Sequence, residues 1–208
     1  MAVNPDEGAN RSLSSADSSA APRSVPPIGF PIVPAPAQFR QGAWADYRID
    51  GVEGGLTIRV IVGESSGKNV FLTLETHVPR VREPIVTTIF KLSNATGKDD
   101  LRVLEATTKG AGSKGTEIKD SALLRTAFDR APTGRDAGKR TTPVGVFSVR
   151  YNERVLAGWK RRAWTNPNAG PLGVVALEFV PMDGGGGSSA SSTVLLTLIG
   201  QGAADAGQ

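Results

Sequence analysis

Apolar and polar residues alternate along most of this chain, the mark of a strand with one buried face. Leu56, Ile58, Val60 and Val62 fall on one side, and Thr57 and Arg59 on the other. From Val70 to His77 the inward set is Val70, Leu72 and Leu74, with Phe71, Thr73 and Glu75 facing away. The densest block, Thr141 to Val180, divides into three strands: Val144 to Tyr151, Leu156 to Trp164, and Leu172 to Val180. TNPNAGP, between the last two, is a turn, because Asn and Gly tolerate left-handed backbone and Pro fixes φ. Further strands are expected over 41–50, with Trp44, Tyr47 and Ile49, and over 85–93, 101–107 and 193–200. GVEGG, ESSGKN and NATGKDD separate neighbours at hairpin spacing, as in an antiparallel meander. Two prolines and three charges in 79–84 break the sheet.

Two regions lack the alternation. Residues 108–140 hold the basic, glycine-rich loops KGAGSKG and TGRDAGKR on either side of DSALLRTAFDRA. That middle piece predicts a short helix over 120–131, capped by Asp120 or Ser121, with Leu123, Leu124, Ala127 and Phe128 as its apolar stripe. The first forty residues contain Pro5, Pro22, Pro26, Pro27, Pro31, Pro34 and Pro36, and a Ser/Ala tract from Ser12 to Ala21. Residues 1–24 cannot bury enough apolar surface to offset their ordering entropy and are expected to be disordered. Residues 25–37 favour an extended polyproline geometry. That segment is either a linker or a docking segment that displays Ile28, Phe30, Ile32 and Val33. The expected organisation is a disordered arm over 1–40, a β domain over 41–202 and a frayed tail over 203–208. The fold class is all-β: a single curved antiparallel sheet, a half-barrel or open barrel, with one short helix against its concave side.

Composition narrows the function classes. The chain has 208 residues, 39% of them hydrophobic, and no Cys. A thiol nucleophile, a disulfide and a thiolate metal site are thereby excluded. Lys and Arg number 24 against 20 Asp and Glu, a net charge of +4. That balance permits an anionic partner without requiring one, and nucleic acid is the least favoured. No apolar run approaches the length of a transmembrane helix. The opening MAVNPDEGANRSL has neither a basic nor an apolar leader region. A cytoplasmic protein fits this, and so does an exported chain whose leader has been removed.

The candidate chemistry is sparse. His77 is the one imidazole, at the end of a strand beside Val78-Pro79, and is read as solvated. Asp99-Asp100 sits in a turn, and no calcium-loop spacing is present. Gly110 to Gly115 lacks the spacing of a phosphate loop. No nucleophile–base pair can be assembled, so no enzyme activity, cofactor or metal is expected. The strongest local charge feature is Lys160-Arg161-Arg162, flanked by Trp159 and Trp164. Arg150 and Arg154 on the preceding strand could join it across the hairpin. Arg150, Arg154, Lys160, Arg162 and Trp164 therefore form a candidate surface for an anionic partner, or a charged strand guarding a sheet edge.

A resemblance adds to this reading. The opening Gly42-Ala43-Trp44-Ala45-Asp46-Tyr47 is followed in the chain by Thr142-Pro143-Val144-Gly145-Val146-Phe147, Trp164-Thr165-Asn166 and Gly170-Pro171-Leu172-Gly173-Val174-Val175. The series resembles a group of uncharacterised bacterial exported proteins, themselves similar to the periplasmic lipoprotein carriers. The resemblance implies a curved sheet that wraps a short helical plug over 120–131 and holds a lipid or other hydrophobic ligand. The inward residues Ile58, Val60, Leu72, Leu74, Phe90, Phe128, Val175, Leu177 and Phe179 would line that site. It also implies a periplasmic or outer-membrane-associated location. The alternative to a ligand carrier is a protein–protein or structural component of a cell-envelope assembly, and the second alternative is an enzyme of unknown class. Thr142 to Phe147 is also similar to a strand entry of the L,D-transpeptidases, but their chemistry needs a Cys that this chain lacks.

Overall fold

The computed structural model describes residues 28–33, 39–52, 55–93, 101–119, 124, 127–156, 158–182 and 193–203. Two antiparallel meanders make up the main sheet. The first runs outward from β2 (Trp44–Asp50) through β3 (Leu56–Ser66), β4 (Asn69–His77), β5 (Val86–Ser93) and β6 (Val103–Gly110) to the two-residue β7 (Thr116–Glu117). The second runs inward from β9 (Arg135–Thr142) through β10 (Gly145–Leu156), β11 (Trp159–Thr165) and β12 (Val174–Pro181) to β13 (Val194–Gly202). They join where β13 pairs with β2, Leu198 opposite Tyr47 and Leu196 opposite Ile49. The result is an 11-stranded sheet with its first strand in the middle and β7 and β9 at its edges. The expected all-β class and curved, open antiparallel sheet are what the structure has.

The alternation seen in the sequence becomes the two faces. On the inner face Tyr47, Ile49, Val60, Leu72, Leu177, Leu196 and Leu198 are nearly or wholly inaccessible to solvent. Burying each such side chain contributes about 1.5–3 kcal/mol. The outer face carries charged ladders such as Asp46–Arg59–Glu75 and Glu153–Arg162–Glu178. Register shifts between Ser148 and Arg150, Trp164 and Thr165, and Leu198 and Gly200 mark β-bulges, which bend the strands that carry them. The second meander curls until β9 returns to touch β13.

The topology sets one further demand. β7 and β9 lie at opposite edges, so the chain between them must cross a face of the sheet. β8 (Phe128–Arg130) lies on that crossing, and it pairs in parallel with β1 (Phe30–Ile32) in a separate two-stranded ribbon. This corrects three expectations. The end of the helix predicted over 120–131 is a strand; Leu124 and Ala127 have helical backbone, and the rest of that prediction lies outside the described residues. The arm predicted over 1–40 contributes Phe30, Ile32 and Phe39 to the core, whereas 1–27 and 34–38 lie outside the described residues. TGRDAGKR, read as a loop, is mostly the edge strand β9, and the left-handed Gly138 with its Asp136 turn bond explains why it looked like one.

Candidate functional site

The inner face and the ribbon laid on it form the candidate site. Every residue proposed from sequence to line a ligand groove stands on this face or, for Phe128, on the ribbon. Ile58, Val60, Leu72, Phe90, Phe128, Val175, Leu177 and Phe179 belong to one packed core, and Leu74 packs against it. β1 and β8 fill the space that a ligand would take. Phe30 and Ile32 are 0% and 2% exposed. The Phe30 ring lies 5.5 Å from that of Tyr47 and 6.3 Å from that of Phe128, and Phe128 meets Phe90 edge-on at 5.0 Å. Such aromatic pairs add about 0.5–1.5 kcal/mol each beyond the area they bury. The main chain is held as well: Val33 N–H donates to the Leu172 carbonyl at 2.9 Å, and Ala131 N–H to the Ile32 carbonyl at 3.1 Å. Tyr47, wholly buried, donates its hydroxyl to the Val174 carbonyl at 3.2 Å, and burial pushes its ionisation well above the usual range.

A buried ion pair fixes the ribbon to the sheet. Arg161 projects from β11 toward the ribbon and has no exposed surface. Its guanidinium grips the Asp129 carboxylate of β8 with two bonds, at 2.8 and 3.1 Å. It also lies 3.4 Å from the Gly29 carbonyl, at the start of β1. Arg154, directly opposite Arg161 on β10, bonds the same carboxylate. Two like charges face each other across the strands, and Asp129 bridges them. Among the described residues, the Arg161 Nε and both side-chain amide atoms of Asn152 are buried without a hydrogen-bond partner. Leaving such a group unsatisfied costs about 1–3 kcal/mol.

The basic residues proposed from sequence do not form one surface. Lys160, Arg162 and Trp164 stand on the outer face, while Arg150 and Arg154 share the face of Arg161. Their charges are engaged within the chain. Arg162 bonds Glu153 at 3.3 Å and Glu178 at 3.0 Å, and Lys160 lies 3.5 Å from Glu153. Arg150 donates from Nε to the Gly134 carbonyl. Trp164 lies between the Tyr151 ring at 5.4 Å and the Arg140 guanidinium at 4.2 Å. Hydrogen bonds from Tyr151, then Arg162 and Lys160, hold the Glu153 carboxyl below its usual range. Burial and the bond to Glu153 raise the Tyr151 hydroxyl, and the bond to Glu178 raises Arg162. His77 pairs with Glu75 at 3.4 Å.

Sequence reasoning passed over Asp129, Asn152, Tyr151 and Arg140. Tyr151 and Asn152 had a signal: once β10 and β11 are read as a hairpin, register puts Tyr151 opposite Trp164 and Asn152 opposite Ala163. Asp129 had none, because its partner Arg161 is 32 residues away, beyond two intervening strands, and in a separate sheet.

No family model and no curated protein matches the sequence. Among solved structures, the chain is similar to that of the hypothetical protein CT021 from Chlamydia trachomatis. The identity is 10% over 79% of this chain and 88% of that one, with a TM-score of 0.45.

Proposed function

We propose that this chain is a non-enzymatic binding module of a bacterial cell envelope whose curved sheet grips an extended apolar segment of a polypeptide partner. The observation that carries this reading is the occupant already present. β1 is an extended apolar segment, buried on the inner face by Phe30 and Ile32 and tied down by main-chain hydrogen bonds. A lipid tail could use the apolar contacts but would leave the Leu172 carbonyl without its donor. Extended-segment recognition of this kind takes affinity from main-chain bonds and selectivity from side-chain pockets. The envelope placement is supported by the ordered motif series from Gly42 to Val175.

The test supplies the segment in trans. A Phe30→Ala, Ile32→Ala variant vacates the anchors at a cost of several kcal/mol, since each buried truncation costs about 2–5 kcal/mol. Near-UV circular dichroism checks that its tertiary packing persists. A fluorescein-labelled peptide of residues 25–36 should bind this variant, and bind the parent chain roughly tenfold or more weakly because the cis segment competes. A fluorescent fatty acid binding one per chain, with no peptide binding, would overturn this reading in favour of a lipid carrier.

A further inference from the structure

We infer that one end of the sheet docks on an anionic lipid bilayer through two adjoining loops, 78–84 and 109–115. None of the residues that seat β1 takes part, so this surface stands apart from the reading above. Register sets the two loops side by side. Val86, first in β5, lies opposite Thr76 of β4 and Gly110 of β6. Ile85 ties both neighbours: its N–H donates to the Thr76 carbonyl at 2.8 Å, and its carbonyl accepts from the Ala111 N–H at 3.0 Å. The loops expose Arg80, Arg82, Lys109 and Lys114, with Glu83 as their one carboxylate. Among the described residues, none of these four cations has an ion-pair partner. The cations of β10 and β11 differ, since Arg154, Lys160, Arg161 and Arg162 all face carboxylates of the chain itself.

Apolar side chains stand among these charges. Val81 is 47% exposed and Val86 37%. Followed strand by strand through the register, the same end of the sheet also carries Val155 of the β10–β11 hairpin and Met182, just after β12, both exposed. Four of the seven large apolar residues exposed among the described residues thus gather at one end. A single exposed apolar residue is ordinary, whereas such a set beside unpaired cations is the make-up of an interfacial contact. The apolar tips enter the headgroup layer and the cations meet lipid phosphates, each cation strengthening binding about fivefold. An acidic polypeptide would satisfy the cations alone; an anionic bilayer takes both sets.

The backbone of the first loop points the same way. Pro79 and Arg80 are the central residues of a turn closed by the Val81 N–H on the Val78 carbonyl at 3.3 Å. Arg80 has φ 70°, the left-handed conformation for which this place in a turn favours Gly. It is the one non-glycine residue with positive φ among those described. A cation held against its backbone preference, without a partner in the chain, is accounted for by a partner outside it.

The test uses the full chain and vesicles of phosphatidylethanolamine and phosphatidylglycerol at about three to one. These should co-sediment the chain, phosphatidylcholine vesicles should not, and about 0.5 M salt should release it. The chain has no Cys, so Val81→Cys and Val146→Cys each give one site for an environment-sensitive fluorophore. Val146 is exposed at the opposite end of β10 from Val155 and serves as the control. The label at 81 should shift to the blue on the anionic vesicles and the label at 146 should not. Arg80→Gly separates binding from structure: it should weaken vesicle binding about fivefold without lowering the urea midpoint. Lys68→Glu, on the hairpin at the other end of β4, should leave binding nearly unchanged. No sedimentation with the anionic vesicles would overturn the inference. So would a blue shift at 146 in place of 81, or vesicle binding that Arg80→Gly does not weaken. Capture by soluble polyglutamate without vesicle binding would overturn it in favour of an acidic polypeptide partner.

Discussion

At the scale of single residues, the least replaceable contact is Asp129. It is the acidic partner of both Arg161, which has no exposed surface, and Arg154. Asp129→Asn leaves a buried guanidinium without its counter-charge and should cost about 3–5 kcal/mol in urea unfolding at neutral pH. Replacing the pair together, Asp129→Leu with Arg161→Met, should cost markedly less, because neither buried charge is then left alone. Glu153 gives a pH prediction. Its folded-state pKa lies below the ordinary 4.5, so the stability that it contributes is present above that value and lost as pH falls through the lower one. Glu153→Gln should therefore lower stability at neutral pH and flatten the acid limb below about pH 4.5, so that variant and parent converge in acid, as acid unfolding followed by fluorescence would show. The residues of this network were legible in the sequence and their roles were not. Lys160, Arg162 and Trp164 alternate correctly with Trp159 and Arg161 by periodicity alone. The acidic partners that absorb their charge sit on neighbouring strands, where only register reveals them.

Elements whose partners are near in sequence were legible in advance. Strands β2 to β6 and β10 to β12 follow from alternation and turn residues because each is paired by a hairpin. β1 and β8 were missed for one shared reason. Each is three residues long, too short to show a period, and each is defined by the other. The pattern of 120–131 favours a helix locally, and tertiary pairing overrides it at Phe128–Arg130. The end of β13 makes its own demand on sequence. Trp44 lies over Gly200 and Gly202, and a Cβ at Gly202 would fall 2.7 Å from the Trp44 Nε1. The other face of that indole is covered by Arg59, 5.0 Å from the ring centroid and itself held by Asp46 at 2.7 and 2.9 Å. Gly202→Ala should therefore displace a clamped ring and cost about 1–3 kcal/mol, measured as a lowered urea midpoint at unchanged m-value.

At the scale of the whole molecule, the sheet is two local meanders held by non-local contacts. The seam between β2 and β13 and the ribbon of β1 and β8 are what join the halves. This predicts that fragments 1–119 and 120–208, each holding one half of both contacts and lacking the other, stay unfolded alone and recover a native near-UV circular dichroism spectrum when mixed. Native signal from the first fragment alone would show that the seam is dispensable. The position of β1 has one more consequence, in time. The partner strand of Phe30 to Ile32 is made about 100 residues later, and Leu172 later still, so at ribosomal rates of about 5–20 residues per second the apolar segment waits several seconds for its seat. Throughout that interval Phe30 and Ile32 are open to whatever meets a nascent chain: a chaperone, a translocation channel, or the partner for which the seat is proposed.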